Sequence, residues 1–202
     1  MFVELLTECL SGWYSYVHFG LPCSWWSSLA SLNGGSRRVT IPDGVRPFTK
    51  AEHSSFLQLE RTCTLCLALH WAGSLFSIEN PRASHAFAAS PYCALESIVP
   101  IFEARFDQCQ YGLQPPAAGR GEFVKKATKI VANFPVGQLS VKCSNTGHVH
   151  VHAKGRRRVW IEGSCTSVSL ARAAGAYPPA LCRALAAAAA LAARTRTSSA
   201  SW

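Results

Sequence analysis

"YVHFGLPCSWWSSLASLNGGSRR", residues 16–38, runs from aromatic and β-branched residues into Leu-Pro-Cys and then into a segment rich in Ser, Gly and Arg. Its first residues have the composition of a buried strand, and Pro22 ends it because proline brings no N–H to a ladder. Cys23 thus stands just past a strand end, either as a buried thiol or as a nucleophile displayed on a loop. The next 40 or so residues indicate the kind of sheet this strand joins. Between Glu52 and Trp71 the apolar positions Phe56, Leu59, Cys63, Cys66 or Leu67, and His70 or Trp71 recur at helical spacing, and Gly73 offers a C-terminal stop. "SLFSIEN" (74–80) then reads as a strand closed by Pro81. Helix followed by strand is half of a crossover unit, the connection that parallel strands require.

Outward from this pair, residues 2–10 read as a short helix and "SIVPIFEARFDQCQYG" (97–112) contains a further strand. "KKATKIVANF" (125–134) alternates like an exposed or edge strand with Lys on one side. "SLARAAGAYPPALCRALAAAAALAAR" ends in a helix opened by Pro178 or Pro179. The 202 residues, 49% hydrophobic and 15% charged, suit one ordinary domain with a substantial core. The expected fold is α/β, a mostly parallel sheet flanked by helices. Residues 1–112 would carry the loops at the strand ends. Residues 113–194 would form a basic, Cys/His-containing region with the C-terminal helix of the same domain, and 195–202 a disordered tail.

Pro-Cys after one strand and Glu-Asn-Pro at the end of another place two loops at one edge of an open α/β sheet, where ligands bind. "GLPCSWWS" and "FSIENP" in this order resemble the catalytic core of the DNA cytosine-5 methyltransferases. "GSRR", "FDQCQYG", "KKATKI" and "CSNTGHVH" extend the resemblance to methyltransferase-like segments of retroelement polyproteins, over about residues 14–190. The resemblance implies a mobile-element origin and a truncated methyltransferase-like fold. It implies Cys23 as the nucleophile that adds to cytosine C6, and Glu79 as the acid at N3, with Asn80 and Pro81 shaping that loop. An active chain would be a cytosine-5 methyltransferase acting on a single-stranded or flipped-out base. S-adenosylmethionine is the implied donor, yet the family's Gly-rich turn upstream of Pro-Cys has no counterpart here. A second chain would have to supply that half. The family's Gln-x-Arg motif is also incomplete: Gln108 and Gln110 are present, and Arg105 is the nearest arginine. Catalysis is therefore an open expectation, and Glu79 could instead cap a following helix.

Cys143, His148, His150 and His152 form a second constellation. Alternation along a strand would put the three histidines on one face, where imidazoles and a thiolate could hold zinc, with Cys109 completing the site if its strand pairs with theirs. The metal set expected is Cys109, Cys143, His148 and His150; the other reading is a solvated polar face.

Charge is the third signal. The chain carries a formal +9, but residues 1–122 hold 8 Lys/Arg against 10 Asp/Glu, while 123–202 hold 12 against Glu162 alone. Lys125, Lys126, Lys129, Arg156, Arg157 and Arg158 are the expected contacts to DNA or RNA phosphates, with Trp160 near enough to stack on a base. A small zinc-stabilised nucleic-acid-binding module without catalysis is the alternative these residues leave standing. Nine cysteines, an odd number, and an acidic N-terminal segment without leader features point to reduced thiols in a nuclear or cytoplasmic setting. No apolar run approaches the ~20 residues that span a bilayer, so no membrane partner is expected.

Overall fold

Pro22, Gly73 and Pro81 punctuate the chain where the sequence suggests, and the elements between them assemble into three layers. The computed structural model describes residues 1–161 and 163–199. In chain order the elements are α1 (Phe2–Leu10), β1 (Tyr16–Gly20), α2 (Lys50–Trp71), β2 (Leu75–Pro81), α3 (Ser90–Ile98), β3 (Phe102–Asp107), β4 (Glu122–Val124), β5 (Ala127–Ala132), β6 (Val149–Val151), β7 (Arg156–Ile161), β8 (Ser164–Ser169), α4 (Leu170–Ala173) and α5 (Pro179–Ser199). The helix α5 continues past residue 195, where the sequence suggests a disordered tail; residues 200–202 lie outside the described residues.

The main sheet has the order β1-β2-β5-β3. β1 and β2 are parallel, with Tyr16 opposite Leu75 and Gly20 opposite Glu79, and α2 lies in the crossover between them. β5 runs antiparallel to both β2 and β3. The expectation of a mostly parallel sheet is thereby corrected: the sheet is mixed, with one parallel pairing. The misreading lies in "KKATKIVANF", which is a central strand and no edge. Ile130, Val131 and Ala132 are fully buried. Its lysines do not force it to the rim, because Lys126 and Lys129 extend along the sheet to meet Glu79 and Glu103.

Side chains alternate across β2, so its two faces meet different helices. Phe76 and Ile78, with Val131, pack against Leu59, Cys66 and Leu69 of α2 and Leu95 of α3. Leu75 on the opposite face, with Ala104, Ile130 and Phe134, packs against Leu181, Leu185, Ala188 and Ala192 of α5. Each fully buried large apolar side chain contributes about 1.5–3 kcal/mol. The alanines let α5 lie close to the sheet. No helix among the described residues is long and apolar enough to cross a membrane.

The "GSRR" segment is fastened to the start of α2. Thr49 and Glu52 form a capping box, and Glu52 also accepts the Ser36 N–H and hydroxyl at 2.6 and 2.9 Å. Burial alone would raise the Glu52 carboxyl, but these bonds, that from Thr49 and the charge of Arg37 hold it below its ordinary value. Arg37 is itself buried, donating to the Trp25 and Glu52 carbonyls and to Ser55 while its guanidinium lies 3.8 Å from the Trp26 ring centre.

Two small ribbons complete the fold. β4 and β6 pair in parallel, and β7 and β8 form an antiparallel hairpin. The Arg-Arg-Arg run is the start of strand β7.

Candidate functional site

The parallel β1–β2 pair delivers both family-like loops to the carboxyl edge of the sheet. Gly20 is the register partner of Glu79, so Cys23 lies three residues beyond it on the adjoining loop. That loop is tied down: the Leu21 N–H donates to the Glu79 carbonyl at 3.4 Å, and Asn80 Nδ2 donates to the Leu21 carbonyl at 2.9 Å. Cys23 is exposed, and Asn80 is completely buried. Asn80 thus shapes the Pro-Cys loop from beneath, while the thiol itself faces solvent.

Glu79 is placed differently. It is buried on the face covered by α5, where the Tyr177 hydroxyl donates to Oε2 at 2.8 Å and the Lys126 ammonium stands 3.5 Å from Oε1. Burial and the adjacent carboxylate push the Tyr177 phenol far above its ordinary value, so it remains a neutral donor. Gly20 makes room for it, since a Cβ there would fall 2.7 Å from the Tyr177 oxygen. Oε2 is thereby taken by Tyr177, whereas buried Oε1 has the Lys126 charge beside it and no hydrogen-bond donor among the described residues. Glu79 does not cap a helix: α3 begins at Ser90 with Ala89 as its N-cap. Nearby, Ser77 Oγ bonds both Tyr16 Oη and His18 Nδ1 at 2.7 Å, and burial lowers His18 to about 4, keeping it neutral. Arg105 forms an ion pair with Glu103, and buried Gln108 donates to Thr128.

The Cys/His constellation converges. Cys109, Cys143, His148 and His150 offer ligand atoms that all lie within 4.8 Å of one another. Cys143 Sγ is 3.5 Å from His148 Nε2 and 3.4 Å from His150 Nε2, and the two imidazole nitrogens are 2.8 Å apart. A tetrahedral zinc with bonds of about 2.3 Å to sulfur and 2.0–2.1 Å to nitrogen would separate sulfur from nitrogen by about 3.6 Å and nitrogen from nitrogen by about 3.3 Å. Two of the three spacings already match, and the third asks the rings to part by about 0.5 Å. The cluster could hold a metal such as zinc.

Local sequence explains this convergence. The chain turns back from Cys143 to His148 through left-handed Asn145 and Gly147, residue types that tolerate that conformation. The Asn145 N–H points at Cys143 Sγ from 3.3 Å, a contact that suits a thiolate. Cys109 arrives on the 3-10 turn Gln108–Tyr111 that follows β3, closed by left-handed Gly112. The histidine strand therefore pairs with β4, and Cys109 joins from a turn, which corrects the expectation that two ligand-bearing strands pair. His152 lies beyond the end of β6, exposed and outside the cluster. Burial and the neighbouring Cys143 thiol raise Cys109 to about 11. Burial lowers His150, helped by His148 and Lys125. A bound cation reverses that logic for the thiols, since a coordinated thiol is held as thiolate.

Around the ligands lies a layer that no motif foreshadows. Asp107 accepts the Cys143 N–H at Oδ2 (3.0 Å) and pairs with Arg82 at Oδ1 (3.2 Å), so one carboxylate joins the Cys143 loop to the residue after Glu-Asn-Pro. Only pairing of β3 with β5 brings Asp107 there.

The basic residues divide. Lys126 and Lys129 are largely buried and paired with Glu79 and Glu103; burial lowers Lys129, whose ammonium sits 4.1 Å from the Phe87 ring centre. Lys125 is exposed and donates to Asn145. Arg157 forms two bonds to Glu122, at 2.9 and 3.1 Å. Arg156 and Arg158 are exposed.

No family model, no curated protein and no solved structure matches this chain.

Proposed function

We propose that this chain binds nucleic acid through its basic C-terminal half, braced by a zinc ion on Cys109, Cys143, His148 and His150. Its α/β core, in this reading, is related to the catalytic half of the cytosine-5 methyltransferases. The observation that carries the proposal is the convergence of the four ligand atoms. It brings the 3-10 turn after β3, the loop leaving the core at Cys143 and the short strand β6 to one point. β6 alone has three residues and pairs only with three-residue β4, too little to stand by itself in water. A metal there supplies cohesion that so small a ribbon lacks. The charge asymmetry supports the partner class, since a half with 12 basic residues and one acidic residue attracts polyanions.

The catalytic reading is second, favoured by the parallel register that sets the Pro-Cys and Glu-Asn-Pro loops side by side. It requires Tyr177 and Lys126 to release Glu79, and a methyl donor held by another chain. The binding proposal is tested by titrating a labelled single strand into metal-loaded and chelator-treated protein across a range of salt. Binding that weakens steeply with salt and falls on chelation supports it. Equal binding by both forms, or none by the loaded form, rejects it.

A further inference from the structure

The hairpin β7–β8 presents one face to solvent and one to the protein. Arg157 and Val159 point inward: Val159 is buried, and Arg157 clasps Glu122 of β4 while reaching the carbonyls of Pro116 and Ala117. Alternation then sends Arg156, Arg158 and Trp160 outward together. Trp160 is 77% exposed. Its register partner is Cys165, and Arg158 and Arg156 stand opposite Ser167 and Ser169, so the facing strand sets only small side chains beside the indole. Arg156 is held flat across the hairpin by bonds to Ser167 Oγ (2.9 Å) and Ser167 O (2.8 Å). Arg158 has no ion pair among the described residues. The result is a row of two cations and an exposed aromatic ring, each about 6.6–7 Å from the next.

We propose that this face, Arg156, Arg158 and Trp160, is a stacking platform for single-stranded nucleic acid, an assignment that rests on the nucleic-acid reading of the basic half. The guanidinium groups complement phosphates without regard to sequence, and the indole offers a flat surface to an unpaired base. In a duplex the bases are already stacked on one another, so that surface finds nothing to cover. The ion pair Arg157–Glu122 fastens the platform to β4, and β4 pairs with the strand that carries His150. The orientation of the platform therefore follows from the same ribbon that the metal ligands hold.

The test uses the full chain, metal-loaded, in fluorescence-anisotropy titrations with a labelled oligonucleotide, single-stranded or annealed, at several salt concentrations. Trp160→Ala is expected to weaken single-strand binding by roughly 5- to 150-fold with little change in salt dependence, as loss of one stacked base requires. Arg156→Ala/Arg158→Ala is expected to lower the slope of log affinity against log salt by about 1.4, two single-strand phosphate contacts. All three side chains are exposed, so circular dichroism should remain that of the wild type. Wild-type affinity and slope in both variants would overturn the platform while leaving nucleic-acid binding standing. Tighter binding of the duplex, or a tryptophan dependence seen only with anionic vesicles, would overturn it as well. Failure of the wild type to bind any strand would instead remove the reading on which the platform rests.

Discussion

His18 shows how a residue's neighbours set its chemistry. On the sequence it is one histidine in an apolar strand; in the fold it is held under α5 by Ser77 and packed edge-on against Tyr177, with ring centres 5.3 Å apart. Burial lowers it to about 4, so between the ordinary value of 6.5 and that figure the unfolded chain takes up a proton that the folded chain refuses. Stability should therefore fall as pH drops through that window, by about 3 kcal/mol when the drop is complete. His18→Asn, which keeps a polar partner for Ser77, should flatten the loss; urea unfolding at about pH 7 and about pH 4.5 checks this, and an unchanged pH dependence would count against it. Individual residues are unevenly legible in the sequence. The positions of Cys23 just past β1 and of Asn80 at the end of β2 follow from Pro22 and Pro81, which close these segments. The capture of Glu79 by Tyr177 does not, because 98 residues separate the partners and only the packing of α5 brings them together.

At the scale of elements, local signals are dependable where they agree with burial. α2 has helical periodicity, a capping box at Thr49 and Glu52, and a left-handed Gly73 just past its end. Thr49→Ala should cost about 1 kcal/mol in thermal or denaturant unfolding, the usual value of an N-cap. A smaller loss would mean that Glu52, still bonded to Ser36, holds the helix start alone. β5 misleads for a definite reason. Lys125, Lys126 and Lys129 suggest a wet strand, but the alternation does not reveal that Glu79 and Glu103 wait on either side to receive two of the ammonium groups. The arginine run of β7 is obscured similarly, since three like charges look like a loop until Arg157 finds Glu122 and the other two turn outward.

Across the whole molecule, the crossover of β1, α2 and β2 makes the core, with helices on both faces of the sheet. The basic half is attached to that core by the pairing of β5, the packing of α5 on the sheet, the Tyr177–Glu79 bond, and the Cys/His cluster with Asp107 behind it. The ligand types are plain in the sequence but their meeting is not, because it depends on a turn after β3 and left-handed residues after Cys143. Zinc K-edge X-ray absorption on purified, zinc-loaded protein, with metal content determined on the same sample, tests the cluster most directly. A four-ligand site predicts one zinc per chain with two sulfur neighbours at about 2.3 Å and two nitrogens at about 2.0–2.1 Å. Cys143→Ala and His150→Ala should each lose the metal, and removal of zinc should lower the melting temperature of the wild type. A protein that retains no zinc, or a coordination sphere without sulfur, would contradict a zinc-braced basic half.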